Sequence, residues 1–216
     1  MMRESFQRQL QTLHNKLYEL GSVCERAIDC AVKGLLDGSA DLRDTAGSLE
    51  IETDVLRKDI ETFCVRLLVR EQPVAGDLRQ ITAAQRIIAE LERVGDHAAD
   101  IAELSEWIPK EAAEKIVFIG DMARAAIDML HSAVSAFVAS DVEKARIVVK
   151  QDIVVDELFL KVKHALTEQI IEDAHASEAC LDLLMVAKYL ERIGDHAQNV
   201  AEWVIYSVTG DREKAD

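Results

Sequence analysis

LERVGDHA occupies residues 91–98 of the chain, and LERIGDHA, which differs at one letter, occupies residues 190–197. The two copies begin at positions 91 and 190, 99 residues apart. Their apolar letters are spaced as on one face of a helix. The central glycine, however, weakens a helix by about 1 kcal/mol relative to alanine. The copies therefore predict a duplicated helix in which the glycine and the neighbouring carboxylates serve a purpose other than helix formation.

Outside the octapeptides, apolar residues recur at close to 3.6-residue intervals along almost the whole chain, which predicts helices. The pattern divides into six long helices, ordered as two long helices and an octapeptide helix, and then the same again. We expect the first helix to end at Asp37 and Gly38, and the last to end at Gly210. The fourth is expected to begin at Pro109 and to continue to about Ala139.

Short connections between these long helices favour antiparallel neighbours. The fifth helix, for example, is expected to begin at the capping box SDVE, residues 140–143, directly after the fourth. We therefore predict an all-α fold of two tandem, pseudo-symmetric three-helix bundles that pack side by side. Residues 1–108 are expected to form the first bundle and residues 109–216 the second.

The composition is acidic, with a formal net charge of −15. Such a chain repels nucleic-acid phosphates and anionic membrane surfaces, so we expect no nucleic-acid partner. The longest apolar-leaning run is interrupted by Asp128 and His131, so we expect no direct membrane insertion. The four cysteines lie among apolar helical neighbours without a C-x-x-C pair, which favours reduced thiols in the cytoplasm.

Each octapeptide belongs to an acidic row in which carboxylates, or an amide, recur every four residues on one helix face. Like charges at this spacing repel each other by a few tenths of a kcal/mol, so two such rows need an explanation. The preceding helix of each half carries a further acidic pair, which an antiparallel hairpin can bring opposite the row. Oxygen ligands of this kind suit hard or borderline divalent cations. The candidate metal ligands are Glu50, Asp54, Glu92, Asp96 and Asp100 in the first half, and Asp152, Asp156, Glu191, Asp195 and Asn199 in the second.

A solvated, salt-bridged helix surface is the alternative to a metal site, because charged residues make up 30% of the chain. Arg93 is placed to pair with Asp96, and Arg192 with Asp195, three residues further along each helix. The glycines fit either interpretation, since close helix packing also uses them. A solvated face explains any one row, but it explains four rows at matching places less readily.

The histidines and the known catalytic motifs give little support to an enzyme. His97 and His196 point about 100° away from the acidic rows, so we expect them to form a polar helix–helix contact. A carboxylate-bridged di-iron oxidase needs Glu-x-x-His motifs on two inward-facing helices, and the only match is at residues 172–175, at a predicted helix end. No phosphate-binding loop, nucleophile elbow or H-E-x-x-H motif is present. The residues alone therefore disfavour a di-iron oxidase and offer no nucleophile or catalytic motif.

The duplicated stretches LERVGDHAADIAE, residues 91–103, and LERIGDHAQNVAE, residues 190–202, resemble the repeats of the PhoU family. REQPVAGDLRQI, residues 70–81, is similar to the family's first-half stretch that leads into the third helix. KQDIVVDEL, residues 150–158, is similar to its acidic segment in the fifth helix. The duplicated order and the overall length agree as well, so the resemblance covers almost the whole chain.

The resemblance implies two similar three-helix bundles side by side. It also implies that paired acidic motifs, at the ten positions given above, bind metals such as iron, zinc, manganese or magnesium. Two positions depart from the family pattern. Asp100 stands where the repeats commonly have asparagine, and Glu50 stands where aspartate is common. The second half is therefore expected to carry the more typical site.

The resemblance further implies a cytoplasmic, often homodimeric negative regulator of phosphate uptake that acts under phosphate sufficiency and is not an enzyme. Its implied partners are the ATPase subunit of the phosphate ABC transporter and a membrane sensor histidine kinase. The sequence leaves two other functions open. One is an accessory protein of another phosphate carrier, and the other is a metal oxidoreductase or iron-binding bundle.

Overall fold

A computed structural model describes residues 2–116 and 118–212, and within these ranges the chain forms helices and no strands. The α-helices are α1 (Met2–Asp37), α2 (Ala40–Glu71), α3 (Gly76–Leu104), α4 (Lys110–Glu114), α5 (Phe118–Ala139), α6 (Val142–Glu172) and α7 (Ser177–Thr209). A 3-10 turn, Ala174–Ala176, precedes α7. None of the helices in the described ranges combines the length and hydrophobicity needed to cross a lipid bilayer.

The helices assemble into two bundles that repeat the same arrangement. In the first bundle α1, α2 and α3 pack against one another, and in the second α5, α6 and α7 do the same. The bundles meet where α1 packs on α5 and where α3 packs on α7. The predicted all-α fold of two three-helix bundles packed side by side is therefore confirmed. The boundary between residues 108 and 109 falls in the connection between α3 and α4 and stays a prediction.

The apolar letters of the octapeptides lie in the core. Leu91 and Leu190, the first letter of each copy, are fully buried. The same face of α3 continues this pattern at helical spacing with Ile81, Ala84, Ile88, Val94, Ala98 and Ile101. All four cysteines are free thiols, and three of them are buried. The octapeptide helices are thus the central elements of their bundles, and their position fixes where the acidic rows lie.

Two helix ends follow the predicted glycine signals. Gly38, with φ +68°, follows α1, and Gly210, with φ +90°, follows α7. Both angles lie in the left-handed region that glycine adopts without strain. The Oγ of Ser39 then accepts a hydrogen bond from the backbone N–H of Leu42 at 3.4 Å and caps α2.

The start of α6 differs by one residue from the predicted capping box at residues 140–143. The N-cap is Asp141, whose Oδ1 accepts from the backbone N–H of Lys144 at 3.0 Å. Ser140 instead has φ +54° and closes α5, because the next N–H donates to the carbonyl oxygen of Ala136 at 2.9 Å. The prediction was wrong because Ser140 belongs to the C-terminus of the preceding helix.

The predicted fourth helix is interrupted. The short helix α4 ends at Glu114, and α5 begins only at Phe118. The sequence IVFI at residues 116–119 places four apolar residues in a row, and a continuous helix would distribute these side chains around its axis at 100° intervals. Ile116, just before α5, and Ile119, in the first turn of α5, are both buried. The 3.6-residue pattern therefore predicted too long a helix here.

Candidate functional site

The octapeptide glycines lie where the octapeptide helix of each bundle crosses the preceding helix. A Cβ added at Gly95 would be 3.0 Å from Cγ2 of Thr53 on α2. A Cβ added at Gly194 would be 3.3 Å from Oδ1 of Asp152 and from Cγ1 of Val155 on α6. The absence of a side chain therefore allows α2 to approach α3, and α6 to approach α7, more closely than alanine would allow. This close approach brings the acidic rows of each half together.

The first acidic cluster comprises Glu50 and Asp54 on α2 and Glu92 and Asp96 on α3. The guanidinium of Arg57 spans the two helices, with Nη2 3.1 Å from Oδ1 of Asp54 and Nε 3.1 Å from Oε1 of Glu92. Burial, together with the carboxylates of Asp96 and Asp54, raises the pKa of Glu50 above its ordinary value. The two rows therefore lie on facing sides of α2 and α3.

The second acidic cluster comprises Asp152 and Asp156 on α6 and Glu191 and Asp195 on α7. Burial, with the carboxylates of Asp156, Asp195 and Glu191, raises the pKa of Asp152 to about 6. Burial and Glu191 also raise the pKa of Asp195, against the opposing effect of the Lys188 ammonium. The repulsion that the sequence spacing predicted is thus present between side chains of two different helices.

The first acidic cluster carries several cations of its own. Besides Arg57, Lys58 places its Nζ 2.5 Å from Oδ2 of Asp54, and Arg93 places Nη1 3.3 Å from Oδ2 of Asp96. Hydrogen bonds from Lys58 and Arg57 hold the pKa of Asp54 below its ordinary value. Part of this cluster therefore matches the salt-bridged alternative that the sequence left open.

The second acidic cluster has less compensation. Lys188 pairs with Glu191 on its own helix, and its Nζ lies 5.5 Å from the ring centroid of Phe159. Among the residues that the structure describes, neither Asp152 nor Asp156 forms an ion pair. The α6 side of this cluster is consequently left with uncompensated negative charge.

The last member of each predicted row, Asp100 and Asn199, lies towards the other bundle. The Nδ1 of His97 is 3.4 Å from Oδ2 of Asp100. The Nδ2 of Asn199 donates to Oε2 of Glu90 at 3.3 Å, and its Oδ1 accepts from Arg212 at 3.4 Å. These residues contact the α3–α7 interface rather than the acidic clusters, and their role as metal ligands stays a prediction.

The octapeptide histidines face each other across the α3–α7 interface. The ring centroids of His97 and His196 are 5.5 Å apart, and His97 also stacks on Tyr189 at 5.4 Å. The Nδ1 of His196 lies 2.8 Å from Oε2 of Glu90, and burial lowers the pKa of His97. Glu90 and Tyr189 are 99 residues apart, like the two histidines, so a pseudo-two-fold axis exchanges these contacts. The expected polar helix–helix contact is confirmed.

Glu90 and Tyr189 were not predicted from the sequence, although a signal for them existed. Each precedes the octapeptide histidine of its helix by seven residues, which places both members on the same helix face. Because the letters differ between the two halves, comparison of the repeats did not reveal them. The seven-residue spacing from each of them to the histidine of its own helix would have indicated them, whereas identity between the two copies did not.

The donor types of the acidic clusters suit a divalent cation, but their present placement does not enclose one. Within residues 2–116 and 118–212, no three His, Cys, Asp or Glu side chains lie close enough together to hold a metal ion as placed. The carboxylates would therefore have to change rotamer to close around a cation. The only Glu-x-x-His match, at residues 172–175, lies exposed at the end of α6, away from the bundle core.

The structure places the chain in a class of duplicated helical proteins. Each half is a three-helix bundle in which acidic side chains of the second and third helices lie together. The sequence model of the PhoU domain matches residues 17–105 and again residues 119–204. The two matches together cover most of the chain and coincide with the two bundles. The chain belongs to the PhoU family.

Individual relatives agree over almost the full length. A phosphate-specific transport system accessory protein PhoU homolog from Clostridium acetobutylicum is 34% identical over 212 residues, 97% of each chain. A protein of the same name from Deinococcus radiodurans is 33% identical over 213 residues, 98% of this chain and 100% of its own. The crystal structure of PhoU from Pseudomonas aeruginosa superposes with a TM-score of 0.89 at 30% identity, covering 95% of this chain and 100% of that one.

Proposed function

We propose that the chain is an accessory regulator of phosphate transport that acts by contacting other proteins and not as an enzyme. Two relatives that match it at 34% and 33% identity over nearly their whole length are named phosphate-specific transport system accessory proteins. The observation that carries the proposal is the pair of acidic clusters, which recur at equivalent places in both bundles of a duplicated fold. Long paired helices of this kind offer extended surfaces for partners.

In finer detail, the protein is a cytoplasmic negative regulator that links the ATPase subunit of the phosphate ABC transporter to a sensor histidine kinase when phosphate is sufficient. Its net charge of −15 favours basic partner surfaces. Apolar side chains on the outer helices, such as Val69 and Ile171, are largely exposed and available for such contacts. The same exposed apolar faces of the outer helices are also available for contact between two copies of the chain in a homodimer.

The second acidic cluster is the proposed site of a divalent cation, with iron, zinc, manganese and magnesium as candidates. Its ligands would be Asp152 and Asp156 from α6 with Glu191 and Asp195 from α7. A bound cation supplies positive charge that relieves the repulsion of the carboxylates. The same carboxylates would then hold α6 against α7, so that the surface offered to partners depends on this contact.

Genetic complementation tests the regulatory role. A strain that lacks the protein should show higher phosphate uptake and an active phosphate-starvation reporter in phosphate-rich medium, and the wild-type chain should repress both. The variant Asp156→Asn/Asp195→Asn should complement poorly, because the second acidic cluster loses two charges. Glu157→Gln, which removes an exposed carboxylate from the same helix, is the matched control and should complement fully. Unchanged uptake and reporter activity in the deletion strain would contradict the proposal.

A pull-down from phosphate-replete cells tests the partners and the metal together. We expect the transporter ATPase and the sensor kinase to be recovered, and elemental analysis of the same preparation to find a divalent metal. Chelation should lower the melting temperature, because the carboxylates of the second acidic cluster again repel one another. An identical melting curve in chelator would exclude a structural role of the metal.

A further inference from the structure

Arg57 occupies the place in the first half that Phe159 occupies in the second. The octapeptide glycines fix this correspondence, because one faces Thr53 and the other faces Val155, which are 102 residues apart. Arg57 and Phe159 are also 102 residues apart and follow these two residues by one helical turn. The first half therefore has a permanently charged arginine beside its acidic cluster where the second half has an uncharged phenylalanine.

The guanidinium of Arg57 lies between the carboxylates of two helices. Nε and Nη2 are 3.3 Å and 3.1 Å from Oδ1 of Asp54, and Nη1 is 3.3 Å from Oε2 of Glu61. Nε is also 3.1 Å from Oε1 of Glu92 on α3. Only 21% of the Arg57 side chain is exposed, so these contacts are shielded from water more than a surface ion pair. The planar guanidinium suits this arrangement, because its donors diverge towards several carboxylates at once.

The charge balance of the two clusters differs accordingly. Four carboxylates of the first acidic cluster are accompanied by three cations, Arg57, Lys58 and Arg93. Four carboxylates of the second are accompanied, within the described part of the chain, by the single cation Lys188, which stays on its own helix. The first cluster thus leaves little negative charge for a metal ion to neutralise.

We propose that Arg57 is a built-in counter-cation that bars metal from the first acidic cluster, so that metal binding in this chain is confined to the second. The confinement rests on the proposed metal role of the second cluster, whereas the barring role of Arg57 can be tested by itself. A metal in the first cluster would have to displace a guanidinium that cannot lose its proton. Asp100 does not compensate, because its carboxylate is engaged by His97.

Titration of the full chain with Mn²⁺ tests this role. The chain is first freed of metal with a chelator, and bound Mn²⁺ is then measured by calorimetry and by the electron-paramagnetic-resonance signal of free Mn²⁺. Arg57→Phe installs the residue of the second half, and Arg57→Gln is a second variant that keeps a polar side chain. Arg93→Gln is the matched control, since it removes an equal charge beside the same cluster but from a residue that does not bridge the helices.

Both Arg57 variants should bind roughly twice as much Mn²⁺ per chain as the wild type, and Arg93→Gln should bind the wild-type amount. With Asp156→Asn/Asp195→Asn added, the wild-type background should lose its Mn²⁺ and the Arg57→Phe background should keep the new site. Circular dichroism confirms that each variant is folded.

Two results would overturn the proposal. One is that both folded Arg57 variants bind no more Mn²⁺ than the wild type. The other is that a wild-type background without the second cluster still binds Mn²⁺ and loses it on Glu50→Gln/Glu92→Gln substitution. Failure of the proposed metal role of the second cluster gives a different result, namely that the Asp156→Asn/Asp195→Asn change leaves wild-type Mn²⁺ binding unaltered.

Discussion

At the scale of single residues, charge repulsion in the second acidic cluster destabilises the folded protein most clearly at Asp152. Its pKa in the folded protein is about 6, because it is buried beside three other carboxylates, whereas an unfolded aspartate titrates near 3.9. The folded state therefore holds its proton more tightly than the unfolded state between these values. Without metal, ionisation of Asp152 costs nothing below about pH 4, costs more as the pH rises towards 6, and costs its full amount above that.

Asp152→Asn should consequently stabilise the metal-free protein at pH 8 by about 1–2 kcal/mol, a value reduced from the full pKa difference because the side chain is only partly buried. At pH 4 the variant and the wild type should be equally stable. Urea unfolding in chelator at the two pH values measures the difference. Glu157→Gln serves as the control and should change stability by less than about 0.5 kcal/mol. A variant that is no more stable than the wild type at pH 8 would contradict the raised pKa.

The carboxylates of both clusters were predictable from the sequence, because their four-residue spacing recurs in each half and is a property of single helices. The contact from Arg57 to Glu92 was not predictable in this way. It joins side chains on two helices, and its existence depends on the register of α2 against α3, which no local pattern encodes. The local pair of Lys58 and Asp54, by contrast, could be read from one helix alone.

At the level of helices, the glycines of α2 and α3 have opposite roles. A Cβ at Gly47 would meet nothing within 4 Å, so this glycine only weakens α2. A Cβ at Gly95 would press on the side chain of Thr53, which is buried and cannot turn away. The sequence showed both glycines but could not distinguish them, because the difference lies in the neighbouring helix.

Gly47→Ala should therefore stabilise the protein by up to about 1 kcal/mol through helix propensity. Gly95→Ala gains the same propensity but loses more through overpacking, and should destabilise by about 1 kcal/mol in total. Thermal and urea unfolding of the two variants, measured side by side, check the difference in sign. If Gly95→Ala were as stabilising as Gly47→Ala, the close approach of α2 and α3 would not require glycine.

The departures from the predicted helices share one physical cause. Ser140 and the apolar run at residues 116–119 each lie where one helix gives way to the next, and the local pattern is compatible with more than one boundary. Packing against the rest of the bundle decides among these boundaries. Long periodic segments such as α1 and α7 were predictable, because within them the apolar residues keep to one face and no such choice arises.

At the scale of the whole molecule, specific side-chain contacts join the two bundles across their interface. The contacts of α3 with α7 place His97 against His196, and those of α1 with α5 place His131 3.1 Å from Glu25. Arg86 on α3 lies 5.7 Å from the ring centroid of Trp203 on α7. Buried apolar side chains from both halves pack beside these contacts in a single cluster, so the two bundles share one continuous core. The duplication could be read from the sequence, but the partners across the interface could not.

A shared core predicts that the two bundles unfold as one cooperative unit. Ile60→Ala removes a buried side chain of α2, and Leu166→Ala removes one of α6 in the other bundle. Each substitution should cost about 2–5 kcal/mol and should shift a single transition to lower urea concentration. The shift should coincide for far-UV circular dichroism and for Trp203 fluorescence, measured in a Trp107→Phe background.

Independent bundles would behave differently under the same substitutions. Circular dichroism would then show two steps, of which Ile60→Ala moves only one and Leu166→Ala only the other. Because α2 packs within the first bundle and α6 within the second, a common shift would have to pass through contacts between the bundles, chiefly those of α1 with α5 and of α3 with α7. A cation bound between α6 and α7 would then stabilise the first bundle as well, and a change at one cluster would alter the surfaces that the whole molecule presents to its partners.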